Sequence, residues 1–108
     1  MSFTELHIGK LTPIKEDPEE FAKEYFEKHN IEYDSSYKSY AEQLIDECYK
    51  EYILINNTLY KMNDEYFGES EVKWHRKNSD GSIEYCVQFY NGGCSLYEAL
   101  KYELEDEK

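Results

Sequence analysis

Residues 82–90, SIEYCVQFY, carry the strictest hydrophobic pattern in this chain of 108 residues. Apolar side chains occupy every second position there: Ile83, Tyr85, Val87 and Phe89. A period of two is typical of a β-strand that buries one face. The turn residues NSDG precede this segment, and EVKWHRK precedes the turn. The pattern therefore predicts a hairpin whose second strand is central in a sheet, with Trp74 opposite it in the core.

A second hairpin is predicted in YILINNTLYKM, residues 52–62. Asn56 and Asn57 tolerate the positive φ angles that a two-residue primed turn requires. The β-branched and aromatic residues that flank them are typical of strands. Residues 63–71, NDEYFGESE, lie between the two hairpins and predict an acidic loop.

Two helices are predicted ahead of the hairpins. The first has Asp17 as its N-cap, Pro18 at its first position and Glu20 as the capping-box partner. Asn30 is a plausible stop for this helix, because asparagine tolerates the left-handed conformation. The second helix follows from residue 34 or 36, where an aspartate and a serine can each serve as the cap.

The stretch FYNGGCSLYEAL, residues 89–100, looks most like a chemical motif. It lacks the glycine spacing and the lysine of a phosphate loop, and Glu98 competes for the amides that a phosphate would need. A helix N-terminus activates a cysteine such as Cys94, but an acidic first turn opposes a thiolate and His75 is predicted to point to solvent. We therefore interpret the stretch as a strand end, a glycine turn and a third helix capped by Ser95 with Glu98.

The N-terminal residues complete the predicted architecture. Residues 1–16 alternate weakly up to Pro13, which predicts an arm or an edge strand. The element order is then ααββββα, with an antiparallel sheet of about four strands in two hairpins. We expect a two-layer α+β domain over residues 1–108, with its helices on one face of the sheet and a frayed acidic tail at 105–108.

Catalysis, cofactors and metals are not indicated by the sequence. The three cysteines lack metal-binding CxxC spacing, and Cys86 falls on the polar face of its strand. With 24 acidic residues, no particular pair stands out as a general acid and base. The odd cysteine count predicts reduced thiols in a cytoplasm, and neither a signal peptide nor an apolar run of membrane-spanning length is found. We expect a cytoplasmic protein without enzymatic activity, cofactor or metal.

The charge is the feature that points to a function. The net charge of −12 exceeds the magnitude of roughly 2–8 that keeps a small domain dissolved. A chain of this charge is repelled by nucleic acid and anionic membranes and attracted to basic protein surfaces. Helical spacing places the acids of the first helix along one face at steps of about 5–6 Å, similar in scale to successive phosphates. Tyrosines between them suit a protein interface. The predicted partner-binding residues are Glu20, Glu24, Glu27, Asp64, Glu65, Glu69, Glu71, Tyr25 and Tyr66.

This small, acidic, tyrosine-rich α+β chain, with one arginine among its 12 basic residues and the closing segment FYNGGCSLYEAL, resembles a class of inhibitors. These are encoded by bacteriophages and mobile elements of low-GC Gram-positive bacteria. Within that class it is most similar to anti-CRISPR proteins that occupy the DNA-binding groove of an RNA-guided nuclease. The resemblance implies a DNA mimic that acts in the host-cell cytoplasm on a basic nucleic-acid-binding protein.

Two other functions stay open from the sequence. An immunity-type protein that neutralises a nuclease toxin is also acidic, because its target is basic. An acidic adaptor domain without mimicry is the third possibility. A neighbouring toxin gene would favour the immunity function, and monomer and homodimer are both compatible with the sequence.

Overall fold

The computed structural model describes residues 6–62 and 68–105 of the chain. Within these ranges the elements are β1 (Leu6–Pro13), α1 (Pro18–His29), α2 (Tyr40–Glu47), β2 (Tyr52–Ile55), β3 (Thr58–Met62), β4 (Glu69–Lys77), β5 (Ile83–Phe89), β6 (Cys94–Ser95) and α3 (Leu96–Glu105). The described ranges therefore hold three helices and a curled, six-stranded antiparallel sheet. The α+β class is confirmed, but the prediction of about four strands in the order ααββββα is wrong.

The main difference is β1, which lies in the middle of the sheet. The strand order is β2-β3-β1-β5-β4-β6. Residues 6–11 of β1 pair with β5, and residues 11–13 pair with β3. Without β1, the inner edges of β3 and β5 would have unpaired backbone N–H and C=O groups. Because buried backbone groups need hydrogen-bond partners, β1 pairs with both edges. The prediction of an N-terminal arm or edge strand is therefore wrong.

Both hairpins themselves are confirmed. The turn between β2 and β3 is made by Asn56 and Asn57, whose φ angles are 48° and 67°. These are the positive values that a two-residue primed turn requires. The turn between β4 and β5 places Gly81 at φ 91°. Local turn chemistry was sufficient to predict each hairpin, because each turn needs only its own few residues.

Helices cover both faces of the sheet, so the prediction that they lie on one face is wrong. Along β2, Tyr52 and Leu54 pack with the α1–α2 cluster, whereas Ile53 and Ile55 pack with the α3 cluster. Successive strand residues point to opposite faces, so the two clusters lie on opposite sides of the sheet. The helices α1 and α2 cover the end formed by β2 and β3.

Helix ends follow side-chain caps, with one correction. Asp17 accepts the backbone N–H groups of residues 19 and 20, and α1 ends at Asn30 in the left-handed conformation, as predicted. The second helix begins later than expected, with Ser39 as its N-cap. Asp34 instead accepts the N–H of Ser36 and closes a local turn, so this stretch is not helical.

A β-bulge changes which side chains of β4 are buried. Val72 pairs with Val87, but the next paired residue is Trp74, opposite Cys86. The extra residue inverts the alternation, so Trp74 lies on the face opposite to Val72. Trp74 is 42% exposed and Phe89, at the end of β5, is 57% exposed. The prediction that both belong to the core is wrong, whereas Cys86 is buried despite its predicted polar face.

Candidate partner-binding surfaces

The acids of α1 form a solvent-exposed face, as the helical spacing predicts. Ala22 and Phe26 are buried against the sheet, and Glu20, Glu24 and Glu27 are all exposed. The separation of buried from exposed residues follows from the helical period, because residues three or four positions apart lie on the same side of a helix. We call Glu20, Glu24 and Glu27 the α1 acidic face.

Negative charge is concentrated at the start of this face. The pKa of Glu16, just before the helix, is raised. The main cause is a hydrogen bond with the Glu24 carboxyl group, and desolvation and charge repulsion from Glu24 add to it. Lys28 opposes the shift and Glu20 adds to it. A raised carboxyl pKa arises where neighbouring carboxylates are crowded. The effect of Lys28 on Glu16 is therefore smaller than the effects that raise its pKa.

A cleft of about 350 Å³ adjoins the α1 acidic face. Tyr25 lies in it, stacked on His29 with 4.0 Å between ring centroids and edge-on to Tyr52 at 5.9 Å. Its hydroxyl is hydrogen-bonded to the Cys48 thiol, 3.7 Å away, and this bond together with burial raises the pKa of Tyr25 to about 12. Tyr25 is therefore held in a fixed orientation beside Glu24. The lining residues are Glu16, Phe21, Glu24, Tyr25, Lys28, His29, Glu51 and Tyr52.

Two of the acids predicted in the loop, Glu69 and Glu71, do not lie on this face. Glu69 and Glu71 belong to β4 rather than to a loop, so that part of the prediction is wrong. The Glu69 carboxylate accepts the Gly92 N–H at 3.1 Å, and Glu71 pairs with Lys73 at 3.2 Å. Sheet order separates β4 from β2, where α1 packs. The remaining predicted residues, Asp64, Glu65 and Tyr66, lie outside the described residues.

The glycine stretch has a structural role in the described contacts. Gly92 has a φ of 90°, and an added Cβ at Gly93 would approach the Ser70 carbonyl oxygen to 3.0 Å. Both positions therefore favour glycine. The predicted cap at Ser95 is confirmed, since its hydroxyl accepts the Glu98 N–H; the Glu98 carboxylate accepts from that hydroxyl rather than from the Ser95 N–H of a full capping box.

His75 is not directed to solvent as predicted. Its side chain is 15% exposed, and Nδ1 lies 2.9 Å from the Glu103 carboxylate on α3. The bulge explains this contact, because it turns His75 to the face that α3 covers. The histidine therefore connects β4 to α3.

Sequence reasoning missed a second cavity, of about 490 Å³, between α2 and the start of α3. We call it the tyrosine pocket. Its lining residues are Tyr37, Glu42, Ile45, Asp46, Tyr49, Ser95, Tyr97 and Glu98. Half of the chain separates the two groups, so no local motif could have revealed it.

An uncovered part of the sheet was also missed. Leu6, Ile8 and Trp74 are 58%, 61% and 42% exposed. Both Ile8 on β1 and Trp74 on β4 pair with Cys86, which lies between them on β5. The α1–α2 layer covers only the β2–β3 end of this face, which leaves these three side chains open.

Within residues 6–62 and 68–105, no group of three or more His, Cys, Asp or Glu residues is arranged to hold a metal ion. None of the helices in those ranges has the length and apolar character needed to cross a membrane.

Comparison with known proteins identifies no relative. No family model matches the chain, and neither a curated protein nor a solved structure matches it.

Proposed function

We propose that this protein is a non-catalytic inhibitor that binds the basic nucleic-acid-binding surface of another protein through its α1 acidic face. The observation that carries the proposal is the set of three exposed carboxylates, Glu20, Glu24 and Glu27, on the side of α1 that faces away from the buried Ala22 and Phe26. Crowded like charges cost stability in the free protein, and a cationic partner relieves that repulsion.

The overall charge supports the same class of partner. A protein with net charge −12 is steered towards basic surfaces and away from nucleic acid. Tyr25 supplies a rigid aromatic contact beside the acids, and such side chains lose little entropy on binding. Charges that steer association and an aromatic that anchors it are typical parts of a protein interface.

More specifically, we propose that this inhibitor is an anti-CRISPR protein of the DNA-mimic type. The supporting features are the phosphate-like spacing of the α1 acidic face and the compositional resemblance to phage-encoded inhibitors. On this proposal the protein occupies the groove of an RNA-guided nuclease and excludes DNA.

The experiment is a DNA-binding assay with purified, guide-loaded RNA-guided nucleases from low-GC Gram-positive bacteria. Fluorescence anisotropy of a labelled target duplex reports whether the protein displaces DNA. We expect DNA binding to fall as the protein is added and the effect to weaken steeply as salt rises, because exposed charges are screened. Substituting Glu20, Glu24 and Glu27 together by Gln should weaken inhibition by about tenfold or more.

A matched variant controls for net charge. Gln at Glu32, Glu105 and Glu107 also changes the charge from −12 to −9, but at positions outside α1. Inhibition should survive in that variant. Nuclease that binds DNA and this protein together, with undiminished DNA affinity, would show that mimicry is wrong. Inhibition of a nuclease toxin alone would establish the immunity function instead.

A further inference from the structure

The tyrosine pocket combines aromatic walls with carboxylates. Tyr37, Tyr49 and Tyr97 supply three rings, and Glu42, Asp46 and Glu98 supply three acids. Its volume of about 490 Å³ lies within the range of roughly 300–1,000 Å³ that small-ligand sites occupy. A site with this lining can hold one side chain or a small molecule.

Two of the aromatic walls are fixed by their hydroxyl groups. The Tyr37 hydroxyl donates to the Asp46 carboxylate, which raises the pKa of Tyr37 to about 12. Burial raises the pKa of Tyr97, whose hydroxyl has a backbone hydrogen bond with Leu54. Rings held in this way are preorganised, so a ligand does not have to order them.

The charge of the lining selects a cation. Lys, Arg and His are absent from the described residues that line the pocket. At the α3 N-terminus, which could attract an anion, the Ser95 hydroxyl already accepts the Glu98 N–H and donates to the Glu98 carboxylate, which adds a negative charge there. The Lys50 ammonium, which is not part of the lining, lies 5.9 Å from the centre of the Tyr49 ring. The Tyr49 ring therefore already has one cation near it, and a ligand cation has the other two tyrosine rings of the pocket as well. An anion is therefore disfavoured, and a cation finds both carboxylates and ring faces.

We propose that the tyrosine pocket binds an arginine side chain of the partner protein. Arginine fits better than lysine, because its planar guanidinium stacks on aromatic rings, pairs with carboxylates and is weakly hydrated. The inference rests on the proposed function in one respect, namely that the partner is a basic protein. It adds a second contact, separate from the α1 acidic face.

Binding of a single arginine can be measured without any partner. N-acetyl-argininamide is titrated into the ¹⁵N- and ¹³C-labelled protein and followed by NMR. N-acetyl-citrullinamide, which replaces the guanidinium by a neutral urea of similar shape, is the matched control ligand. We expect saturable shift changes in the rings of Tyr37, Tyr49 and Tyr97 with the arginine compound only. Equal changes with both ligands, or changes confined to α1, would overturn the proposal.

Variants sharpen the same measurement. Glu42→Gln and Tyr49→Leu change exposed side chains and leave both the Tyr37–Asp46 bond and the Ser95–Glu98 cap in place. Each should weaken binding of N-acetyl-argininamide by roughly two- to fivefold, the range of an exposed cation–π contact. Glu32→Gln, an exposed position outside both the pocket and the α1 acidic face, should leave it unchanged. An equal loss in Glu32→Gln would show that only net charge matters.

The two proposals fail separately. If N-acetyl-argininamide binds but no nuclease is inhibited, the proposed function is wrong, whereas the proposal that the tyrosine pocket binds arginine is supported. If a nuclease is inhibited as strongly by Glu42→Gln and Tyr49→Leu as by the natural protein, and N-acetyl-argininamide does not bind, the pocket proposal alone is wrong.

Discussion

The two helical layers on either side of the sheet are stabilised differently. The α3 side is largely aliphatic, and Leu96, Leu100 and Leu104 are buried against strand residues. The α1–α2 side is smaller and more aromatic, and many of its hydrophobic residues are only partly buried. Apolar burial dominates the first layer, whereas the second also depends on polar contacts between its own segments.

Two side chains make those polar contacts in the α1–α2 layer. The Glu19 carboxylate of α1 accepts the N–H groups of Tyr40 and Ala41, at 2.6 and 3.1 Å, at the start of α2. The buried Gln43 accepts the Asp34 N–H at 2.8 Å. It also donates to the backbone carbonyl of Glu32 at 3.2 Å, which fixes the connection between the helices. The comparison teaches that the layer carrying the α1 acidic face and one wall of the tyrosine pocket depends on a few specific hydrogen bonds.

The largest effect is expected in the aliphatic layer. Leu100→Ala should lower the free energy of unfolding by about 2–5 kcal/mol, because Leu100 is fully buried and the change leaves a cavity. Urea unfolding followed by circular dichroism measures the loss. Tyr102→Ala on the same helix, where the side chain is 62% exposed, should change stability by about 0.5 kcal/mol or less. Equal losses in both variants would show that α3 is not packed as described.

A smaller loss is expected when the polar contact between α1 and α2 is removed. Glu19→Ala leaves two amides at the start of α2 without their acceptor and should cost about 2 kcal/mol, since each bond involves a charged group. Hydrogen exchange should show faster exchange at Tyr40 and Ala41 than in α3.

Two variants serve as controls for that measurement. Glu27→Ala, on the exposed side of the same helix, should have little effect. Glu19→Gln keeps one acceptor oxygen and should lose less than Glu19→Ala. No loss in Glu19→Ala would mean that packing alone holds the layer.

The exposed end of β5 gives a smaller effect still. Phe89→Ala should cost about 0.5 kcal/mol or less, because the side chain is 57% exposed. The alternating pattern alone would place Phe89 in the core, where this substitution costs about 3–5 kcal/mol. Thermal unfolding separates the two values, and a loss in the higher range would contradict the described end of the strand.

The smallest effect concerns the α1 acidic face. Glu24→Gln should lower the pKa of Glu16 towards its ordinary value of 4.5, because it removes the main cause of the raised pKa. A carboxyl group whose pKa is raised by folding stabilises the folded protein. This contribution is complete at pH values below the ordinary pKa, and it is lost as the pH rises through the folded-state pKa. The variant should therefore show a weaker decline of stability just above pH 4.5. Carbon-detected NMR titration of the Glu16 carboxyl measures the pKa, and an unchanged value would mean that Glu24 is not the cause.

Features that depend on a few neighbouring residues were predictable from the sequence. The caps at Asp17 and Ser95, the stop at Asn30 and both hairpin turns each need only local backbone groups. The exposure of the α1 acidic face was predictable for the same reason, because one helix repeats every 3.6 residues. The candidate site on α1 was therefore predictable, apart from its cleft.

Features that depend on distant residues required the tertiary structure. The central place of β1 follows from two inner edges that only the assembled hairpins present. The bulge in β4 inverts the burial of Trp74 and His75 without any glycine or proline to signal it. Glu19 of α1 caps the start of α2, 21 residues away, and no local pattern around Glu19 signals that contact.

The sequence by itself determined the α+β class, the turns, the caps and an acidic helix face, because short-range geometry decides each of them. The tertiary structure alone decided the strand order, the two covered faces of the sheet and the tyrosine pocket. Each of these depends on pairing or packing between segments far apart in the chain. A local sequence pattern does not indicate which distant segment a strand or helix will contact.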